Sequence, residues 1–278
     1  MAIVGIALAG VATAVAVAPG GGAFGGAGRS GRAPVADRRG VAPAWLVQPG
    51  VARHMVLLGD SIASSAADAL RDAGAARGIS VDSMVRWGCG LTTGVTQKTL
   101  DAALSARCAA STPQHLDEAA QRVGPGDAVV WFNSWEVNDH LVGDRVLAFR
   151  SPEWDRWYAG QLDAARARFS ARGATLVLVT VAPRAPVGGI ERQAPADARD
   201  TLALTEIYRR FASEHPADVV VADLAALLCP YAPQCPERID GITVRPDSTH
   251  YGAAGAAWMA PRLLDLIDLG LARRPFGA

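Results

Sequence analysis

Two short motifs near opposite ends of the chain carry residue types that together can cleave an ester. Gly59-Asp60-Ser61 ends an apolar run and directly precedes an alanine-rich stretch, and Asp247 stands three residues before His250. An aspartate at that spacing can accept the Nδ1 proton of the histidine, which leaves Nε2 to take the proton of a serine hydroxyl. Either motif alone is weak, since Asp and Ser commonly cap helices. The pair predicts a serine nucleophile, Ser61, activated by His250 and Asp247.

The elements around these motifs alternate between strand and helix. Amphipathic stretches, one with a cap at Ser151 and a terminating Gly173, separate five apolar runs: HMVLLGDS, ISVDSMVRW, DAVVWFN, ATLVLVTVAP and ADVVVADL. Nearly continuous apolar strands that alternate with helices indicate a parallel sheet covered on both faces. We therefore predict one doubly wound, flavodoxin-like α/β domain over residues 53–278. In such a domain, functional side chains collect at the carboxyl ends of the strands.

The motifs resemble those of SGNH (GDSL-type) hydrolases. More narrowly, they resemble the extracytoplasmic SGNH domain attached to acyltransferase-3 type membrane acyltransferases. The matching blocks span the predicted domain and are Gly59-Asp60-Ser61, Gly88-Cys89-Gly90, Ser134-Trp135-Glu136-Val137, and Arg245-Pro246-Asp247 through His250-Tyr251. The resemblance implies the SGNH hydrolase fold, with Ser61 as nucleophile and Asp247 and His250 as its activating pair. It also implies an oxyanion hole formed by the backbone amides of Ser61 and Gly90 with an asparagine side chain.

The third block departs from the Gly-x-Asn-Asp pattern that is usual in that family. Counted from the end of the strand AVVWF, Asn133 takes the place of the glycine and Trp135 that of the asparagine. Asn138-Asp139 repeats the motif about one helical turn later. Three side chains are therefore candidates for the third donor of the oxyanion hole: the amides of Asn133 and Asn138, and the indole N–H of Trp135. The Trp-Glu pair at this block resembles the acyltransferase-linked subset.

The N-terminal part of the chain differs in composition from the rest. Residues 2–18 are uncharged and almost wholly apolar, which predicts a signal or anchor, or the terminal transmembrane helix of a longer protein, over residues 1–18. Residues 19–52 are rich in Gly, Pro, Ala and Arg, which predicts a flexible linker. We expect the domain to lie outside the cytoplasm, either anchored to a membrane or secreted.

Four cysteines occur in the predicted domain. Cys229 and Cys235 bracket a proline-rich loop, which predicts a disulfide between them and leaves Cys89 to pair with Cys108. An even number of cysteines behind an export segment is typical of an oxidising compartment. The chain has neither a Cys-x-x-Cys pair nor histidines at metal-ligand spacing, so no metal site is predicted.

Composition excludes several classes of protein. The chain has 278 residues, of which 50% are hydrophobic and 19% are charged, so the bulk of it is not a disordered segment. Because 27 basic residues balance 27 acidic ones, no overall basic field favours nucleic acid as a partner. The first strand is not followed by a glycine-rich phosphate loop, which argues against a nucleotide-binding domain, and no cofactor is predicted.

These observations and the resemblance predict a serine esterase or O-acyl transfer domain. Its expected substrates are small acyl groups ester-linked to cell-envelope carbohydrate, and a membrane acyltransferase is its expected partner. The alternative is a catalytically weak SGNH-like module that binds carbohydrate and presents it to such an acyltransferase. The missing asparagine in the third block keeps this alternative open.

Overall fold

The structure, a computed structural model, describes residues 52–98, 101–190 and 195–274. The predicted export or membrane segment over residues 1–18 lies outside these ranges, and so does the predicted linker over residues 19–52 apart from Ala52. Within the described ranges, no helix has both the length and the apolar content that crossing a bilayer requires.

A five-stranded sheet forms the centre of the domain, with strand order β2-β1-β4-β7-β8. Every neighbouring pair in it is parallel. Its strands are β1 (His54–Gly59), β2 (Ser80–Val85), β4 (Ala128–Phe132), β7 (Thr175–Val179) and β8 (Val219–Ala222). Each lies within one of the five predicted apolar runs. The order matches the flavodoxin-like type of doubly wound sheet and confirms the predicted fold class.

In the part of the chain that the structure describes, six α-helices accompany the sheet: α1 (Ser61–Ala75), α2 (Ala102–Gln121), α3 (Pro152–Ser170), α4 (Pro195–Glu214), α5 (Leu224–Leu228) and α6 (Ala253–Ala272). The predicted cap of α3 is confirmed, because the Ser151 side chain accepts a hydrogen bond from the Trp154 amide at 3.1 Å. Gly173, beyond the end of that helix, adopts a positive φ of 78°. Such a conformation favours glycine and ends a helix sharply.

Short antiparallel strands lie outside the main sheet. A three-stranded sheet joins β3 (Thr96–Gln97), β5 (His140–Val142) and β6 (Arg145–Leu147), and a hairpin joins β9 (Arg238–Ile239) to β10 (Ile242–Thr243). The sequence analysis did not predict these strands. Two or three residues are too few to show the alternation by which a strand is recognised.

The strands bury side chains on both faces of the sheet. In β1, Met55 and Leu57 pack toward α1 and α6, whereas Val56 and Leu58 belong to the cluster that α3 completes. Successive strand residues point to opposite faces, so an unbroken apolar run supplies both cores at once. The helices of both layers therefore hold the carboxyl ends of the strands in fixed positions.

Gly59 ends β1 at a place where no side chain fits. A Cβ atom there would lie 2.0 Å from the carbonyl oxygen of Phe132, the last residue of β4. Its φ is not positive, so a close approach between strands, and not a turn, requires the glycine. This approach brings the residues that follow β1 and β4 side by side.

Candidate active site

Ser61 occupies the first position of α1. Asp60 precedes it as the N-cap and accepts a hydrogen bond from the Ile62 amide at 2.8 Å. The second carboxylate oxygen of Asp60 accepts from the amide and the hydroxyl of Ser134, at 2.8 and 2.6 Å. Burial raises the pKa of Asp60, while the hydrogen bonds from Ser134 and the α1 amides oppose that rise. Asp60 therefore ties the start of α1 to the loop after β4.

The loop before α6 brings a histidine to this serine. The Nε2 atom of His250 lies 2.9 Å from the Oγ atom of Ser61, and its Nδ1 atom lies 2.6 Å from a carboxylate oxygen of Asp247. The other carboxylate oxygen of Asp247 accepts from the amides of Thr249 and His250, at 2.9 and 2.7 Å. The structure thus joins the three predicted residues in one hydrogen-bonded chain, although they are up to 189 positions apart in sequence.

Asp247 is held as a carboxylate. Burial acts to raise its pKa, but the hydrogen bond with His250 and the two backbone amides outweigh burial, so the pKa of Asp247 lies below its ordinary value. A carboxylate so placed fixes the Nδ1–H tautomer of His250 and leaves Nε2 as a proton acceptor.

A bend in the backbone and a hydrogen bond to α1 position the loop that carries Asp247 and His250. Ser248 adopts a positive φ of 79°, which bends the chain between them. The amide of Tyr251 donates to the hydroxyl of Ser65 on α1 at 3.1 Å. Ser65 is one helical turn beyond Ser61, so the histidine loop and the serine helix are fixed to each other directly.

A cavity of about 360 Å³ opens at this chain of residues. Its lining carries hydroxyl, amide and guanidinium groups beside apolar ones, and consists of Ser61, Ile62, Phe132, Ser134, Trp135, Val137, Asn138, Val181, Ala182, Arg184, Asp200, Thr201, Arg245, Thr249, His250 and Tyr251. The volume lies within the range of small-molecule sites and accommodates a small acyl group with part of the alcohol to which it is linked.

Arg245 places a buried positive charge in the cavity wall. It is only 5% exposed, and it donates to the carbonyl oxygen of Pro183 at 2.5 Å. Burial lowers its pKa, because desolvation disfavours the charged guanidinium. The sequence analysis placed Arg245 in the last block but assigned it no role.

The predicted oxyanion donors do not all reach the cavity. Trp135 and Asn138 line it, whereas Asn133 is completely buried and Gly90 lies outside the lining. The side-chain amide of Asn138 donates to the carbonyl oxygen of Trp135 at 3.0 Å. The indole nitrogen of Trp135 is buried and has no hydrogen-bond partner among the described residues. Of the three side chains left open by the sequence, Trp135 is therefore the one whose donor nitrogen makes no hydrogen bond to the described residues.

Asn133 instead faces Glu136, which is fully buried. The amide nitrogen of Asn133 donates to one carboxyl oxygen of Glu136, and the Leu91 amide donates to the other at 3.3 Å. Burial, reinforced by the negative charge of Asp60, raises the pKa of Glu136 to about 8. A protonated Glu136 therefore connects the second block to the third at neutral pH. The sequence analysis missed this role, because a glutamate after a strand is read as a helix cap.

We expect Glu136→Gln to remove a pH dependence from the free energy of unfolding. The folded protein keeps a proton that the unfolded chain releases above its ordinary pKa of 4.5, so the stabilisation is complete below that pH and is lost as the pH rises toward 8. The slope reaches at most about 1.4 kcal/mol per pH unit. Urea unfolding of both proteins from about pH 5 to about pH 8.5 measures it.

Glu118→Gln is the matched control, because Glu118 is exposed on α2 and accepts a hydrogen bond from the side chain of Gln114 at 2.8 Å. Its unfolding free energy should follow that of the wild type at every pH. If the wild type and Glu136→Gln change in parallel over this range, Glu136 does not hold a proton in the folded state.

The structure pairs Cys89 with Cys108 and Cys229 with Cys235, as the sequence predicts. The first bond links the loop before Gly90 to α2, and the second closes the proline-rich loop after α5. Within the described residues, no group of three or more His, Cys, Asp and Glu side chains could hold a metal ion.

The comparison with known families decides the assignment. Residues 36–265 match the model of the SGNH domain that is fused to AT3 domains. The chain belongs to this family. The match covers all four motif blocks, so the resemblance drawn from the sequence is confirmed. No curated protein matches the chain.

Several solved structures are similar to the chain. The periplasmic domain of a lipopolysaccharide acetyltransferase from Salmonella ser. Paratyphi A is similar with a TM-score of 0.52 and 12% identity, over 78% of this chain and 84% of that one. The C-terminal catalytic domain of peptidoglycan O-acetyltransferase A from Streptococcus pneumoniae has a TM-score of 0.41 and 16% identity, over 80% and 94% of the two chains. A GDSL-like lipase from Bacteroides thetaiotaomicron has a TM-score of 0.45 and 12% identity, over 78% and 88%. At these identities the likeness concerns the fold.

Membership places the SGNH domain among serine hydrolases and acyltransferases, which confirms the predicted class of enzyme. It supports a general role in ester or O-acyl chemistry.

Proposed function

We propose that the SGNH domain transfers or hydrolyses small O-acyl groups through an acyl-enzyme on Ser61. The hydrogen-bonded chain from Ser61 through His250 to Asp247, at the wall of the cavity, is the observation that carries this proposal. It provides a nucleophile, a base within reach of the nucleophile's proton, and a carboxylate that orients the base.

In the first half-reaction, His250 Nε2 takes the proton of Ser61 as Oγ attacks the carbonyl carbon of the ester. The carbonyl oxygen becomes an oxyanion, and its negative charge develops beside the N-terminus of α1, where the amide of Ser61 is unsatisfied within the helix. Collapse of the intermediate breaks the ester C–O bond, and His250 returns the proton to the departing alcohol. Ser61 is then acylated.

In the second half-reaction, a water molecule or a sugar hydroxyl loses its proton to His250 and attacks the acyl carbon. The Ser61 ester bond breaks, and the proton passes from His250 to Ser61 Oγ. Water gives a free acid, and a sugar hydroxyl gives a new ester. Apart from substrate and acceptor, these steps use only groups of this chain.

We further propose that the amide of Ser61 and the indole N–H of Trp135 stabilise the oxyanion, without the predicted amide of Gly90, which lies outside the cavity lining. Trp135 is favoured over both asparagines because its donor has no partner in the described residues, whereas Asn133 faces Glu136 and Asn138 donates to a carbonyl. The indole would thus replace the side-chain amide that is usual at the third block.

The proposed substrate is an acylated cell-envelope carbohydrate, and the proposed partner is a membrane acyltransferase. The support is the description of the family, whose SGNH domains are fused to AT3 domains, and the fold shared with the periplasmic domain of a lipopolysaccharide acetyltransferase. Two disulfides favour an oxidising compartment and hence an extracytoplasmic location. The apolar segment over residues 1–18 is the proposed signal or membrane attachment.

An activated ester and a covalent label test the acyl-enzyme. With p-nitrophenyl acetate we expect a stoichiometric burst of nitrophenol, an acetyl group on the Ser61 peptide by mass spectrometry, and labelling of the same peptide by a sulfonyl fluoride. Oligosaccharide acceptors added to the reaction should divert acetyl from water to sugar if the domain is a transferase.

The competing function is a carbohydrate-binding module with little catalysis, which the absent asparagine in the third block favours. It predicts neither burst nor label, together with glycan binding that Ser61→Ala does not change. That combination would overturn the acyl-enzyme proposal.

A further inference from the structure

Trp87 is an exposed aromatic side chain beside the candidate active site. Its indole stacks on the imidazole of His250, with the ring centroids 5.4 Å apart and the planes inclined by 20°. Nevertheless 67% of Trp87 is exposed to solvent. One face of the indole therefore covers His250, and the opposite face is open.

The backbone on both sides of Trp87 is fixed. The Arg86 amide donates to the carbonyl oxygen of Gly59 at 2.8 Å, and its guanidinium donates to the hydroxyls of Ser111 and Thr112 on α2 at 2.7 and 2.5 Å. Two residues beyond Trp87, Cys89 is bonded to Cys108 on the same helix. The open indole face is thus held in place before any ligand arrives, which lowers the entropic cost of binding.

The surroundings of Trp87 fit a sugar ring better than an acyl chain. The other large apolar side chains that are exposed in the described residues are Val146, Ile190, Tyr231 and Leu269, and none of them lines the cavity. The cavity at His250 presents polar groups, such as those of Ser134, Asn138 and Thr249, beside apolar side chains. A flat apolar platform beside hydroxyl and amide groups matches a pyranose, which has one C–H face and a rim of hydroxyls.

Distance decides which sugar unit this platform can hold. A ring in van der Waals contact with the open face of Trp87 lies roughly 9 Å from the imidazole of His250, since that imidazole is 5.4 Å from the indole. Reacting atoms must approach to about 3–3.5 Å. The indole also stands between a stacked unit and His250, so the reacting unit is taken to be the neighbour of the stacked unit in the same glycan.

We propose that Trp87 forms a subsite for a neighbouring unit of an oligosaccharide or polysaccharide, next to the unit that gives or receives the acyl group. The inference rests on the proposed function, because it takes the substrate to be carbohydrate. It adds that the domain acts on a glycan chain in preference to a single sugar.

Acetate release from acetylated glucose, acetylated cellotetraose and acetylated chitotetraose tests the subsite, with p-nitrophenyl acetate as a substrate that has no sugar. We expect the wild type to favour at least one tetrasaccharide over glucose. Trp87→Ala should lower kcat/KM for that tetrasaccharide about tenfold, the equivalent of about 1.4 kcal/mol, mainly through KM. Trp87→Phe should recover most of the loss, and Trp87→Ala should lower kcat/KM for p-nitrophenyl acetate by much less than for the tetrasaccharide.

Tyr231→Ala is the matched control. Tyr231 is 80% exposed but does not line the cavity, so its removal should change none of these rates. If Trp87→Ala lowers kcat/KM by the same factor for all substrates, Trp87 only shields His250, and the subsite is overturned. Equal kcat/KM values of the wild type for acetylated glucose and both acetylated tetrasaccharides would overturn the subsite as well.

Binding separates this inference from the proposed catalysis. In a Ser61→Ala background, calorimetry with cellotetraose and chitotetraose should give a Kd that Trp87→Ala raises about tenfold. If that difference is found but the wild type forms no acyl-enzyme, the subsite stands and the catalytic proposal falls. If the wild type forms the acyl-enzyme and Trp87→Ala leaves the Kd unchanged, or neither glycan binds, the subsite falls and the acyl-enzyme stands.

Discussion

Ser61→Ala is expected to lower kcat for p-nitrophenyl acetate by about 10,000-fold or more, close to the background rate. The substitution removes the atom that attacks the carbonyl carbon, the Ser61 Oγ that lies 2.9 Å from Nε2 of His250, and with it the proton that His250 would take. Losing a nucleophile of this kind typically costs several orders of magnitude. Initial rates at saturating ester, with purified full-length protein, measure the effect.

His250→Ala should be nearly as damaging, and the double variant scarcely worse than either single one. The serine is a weak nucleophile without its base, and the base has nothing to activate without the serine, so the two effects overlap instead of adding. Strictly additive losses in kcat would show that His250 does not act on Ser61.

Ser64→Ala is the control for the first substitution. Ser64 lies three residues further along α1 and does not line the cavity, so its removal should leave kcat unchanged. Wild-type turnover in Ser61→Ala would mean that another nucleophile does the chemistry.

Much of the fold could be predicted because its strands are buried on both faces. A run such as Ala128–Phe132 is apolar at every position, and only a strand with a helix layer on each side needs that pattern. Once the sheet is parallel, its carboxyl ends share one edge, so Ser61 after β1 lies where such sheets bind their ligands. The pairing of Ser61 with His250 follows from fold class combined with residue type.

The less regular elements could not be predicted in the same way. Helix α2 contains Pro113 and buries mostly small or polar side chains, among them Ser105, Cys108 and Thr112. Such a helix shows little apolar periodicity, and the sequence analysis did not predict it. Tertiary contacts stabilise it instead, including the disulfide from Cys108 and the hydrogen bonds that Arg86 donates to its hydroxyls.

The third block shows a different limit of sequence reasoning. Asn133 and Asn138 were considered as donors because of their residue type, but Asn133 is turned toward Glu136, a carboxyl group that burial keeps protonated. A glutamate gives no sign in sequence that it will be neutral and completely buried. Its state depends on desolvation by residues that are distant along the chain.

The largest effect outside Ser61 and His250 is expected from Asp247→Asn, which should lower kcat by about 10,000-fold while KM and the melting temperature stay nearly unchanged. Asparagine keeps an oxygen that can accept from the amides of Thr249 and His250, so the loop keeps its shape. Its NH2 group, however, takes the place of the carboxylate oxygen that lies 2.6 Å from Nδ1 of His250.

An NH2 group at that position donates to Nδ1, so the imidazole proton must move to Nε2. A protonated Nε2 cannot accept the proton of Ser61, and the base is lost although every atom is near its original place. Because Asp247 does not line the cavity, ester binding and therefore KM should not change when chemistry is slow. The prediction separates an orienting carboxylate from one that only stabilises the loop.

Asp265→Asn provides the comparison, since Asp265 pairs with Arg77 at 2.7 Å on the surface of α6 and does not line the cavity. It should leave both kcat and the melting temperature close to those of the wild type, because an exposed ion pair contributes about 1 kcal/mol or less. If Asp247→Asn retains more than about a tenth of the wild-type kcat, Asp247 does not set the tautomer of His250. If kcat falls only in parallel with the melting temperature, Asp247 supports the fold of the loop and not the proton transfer.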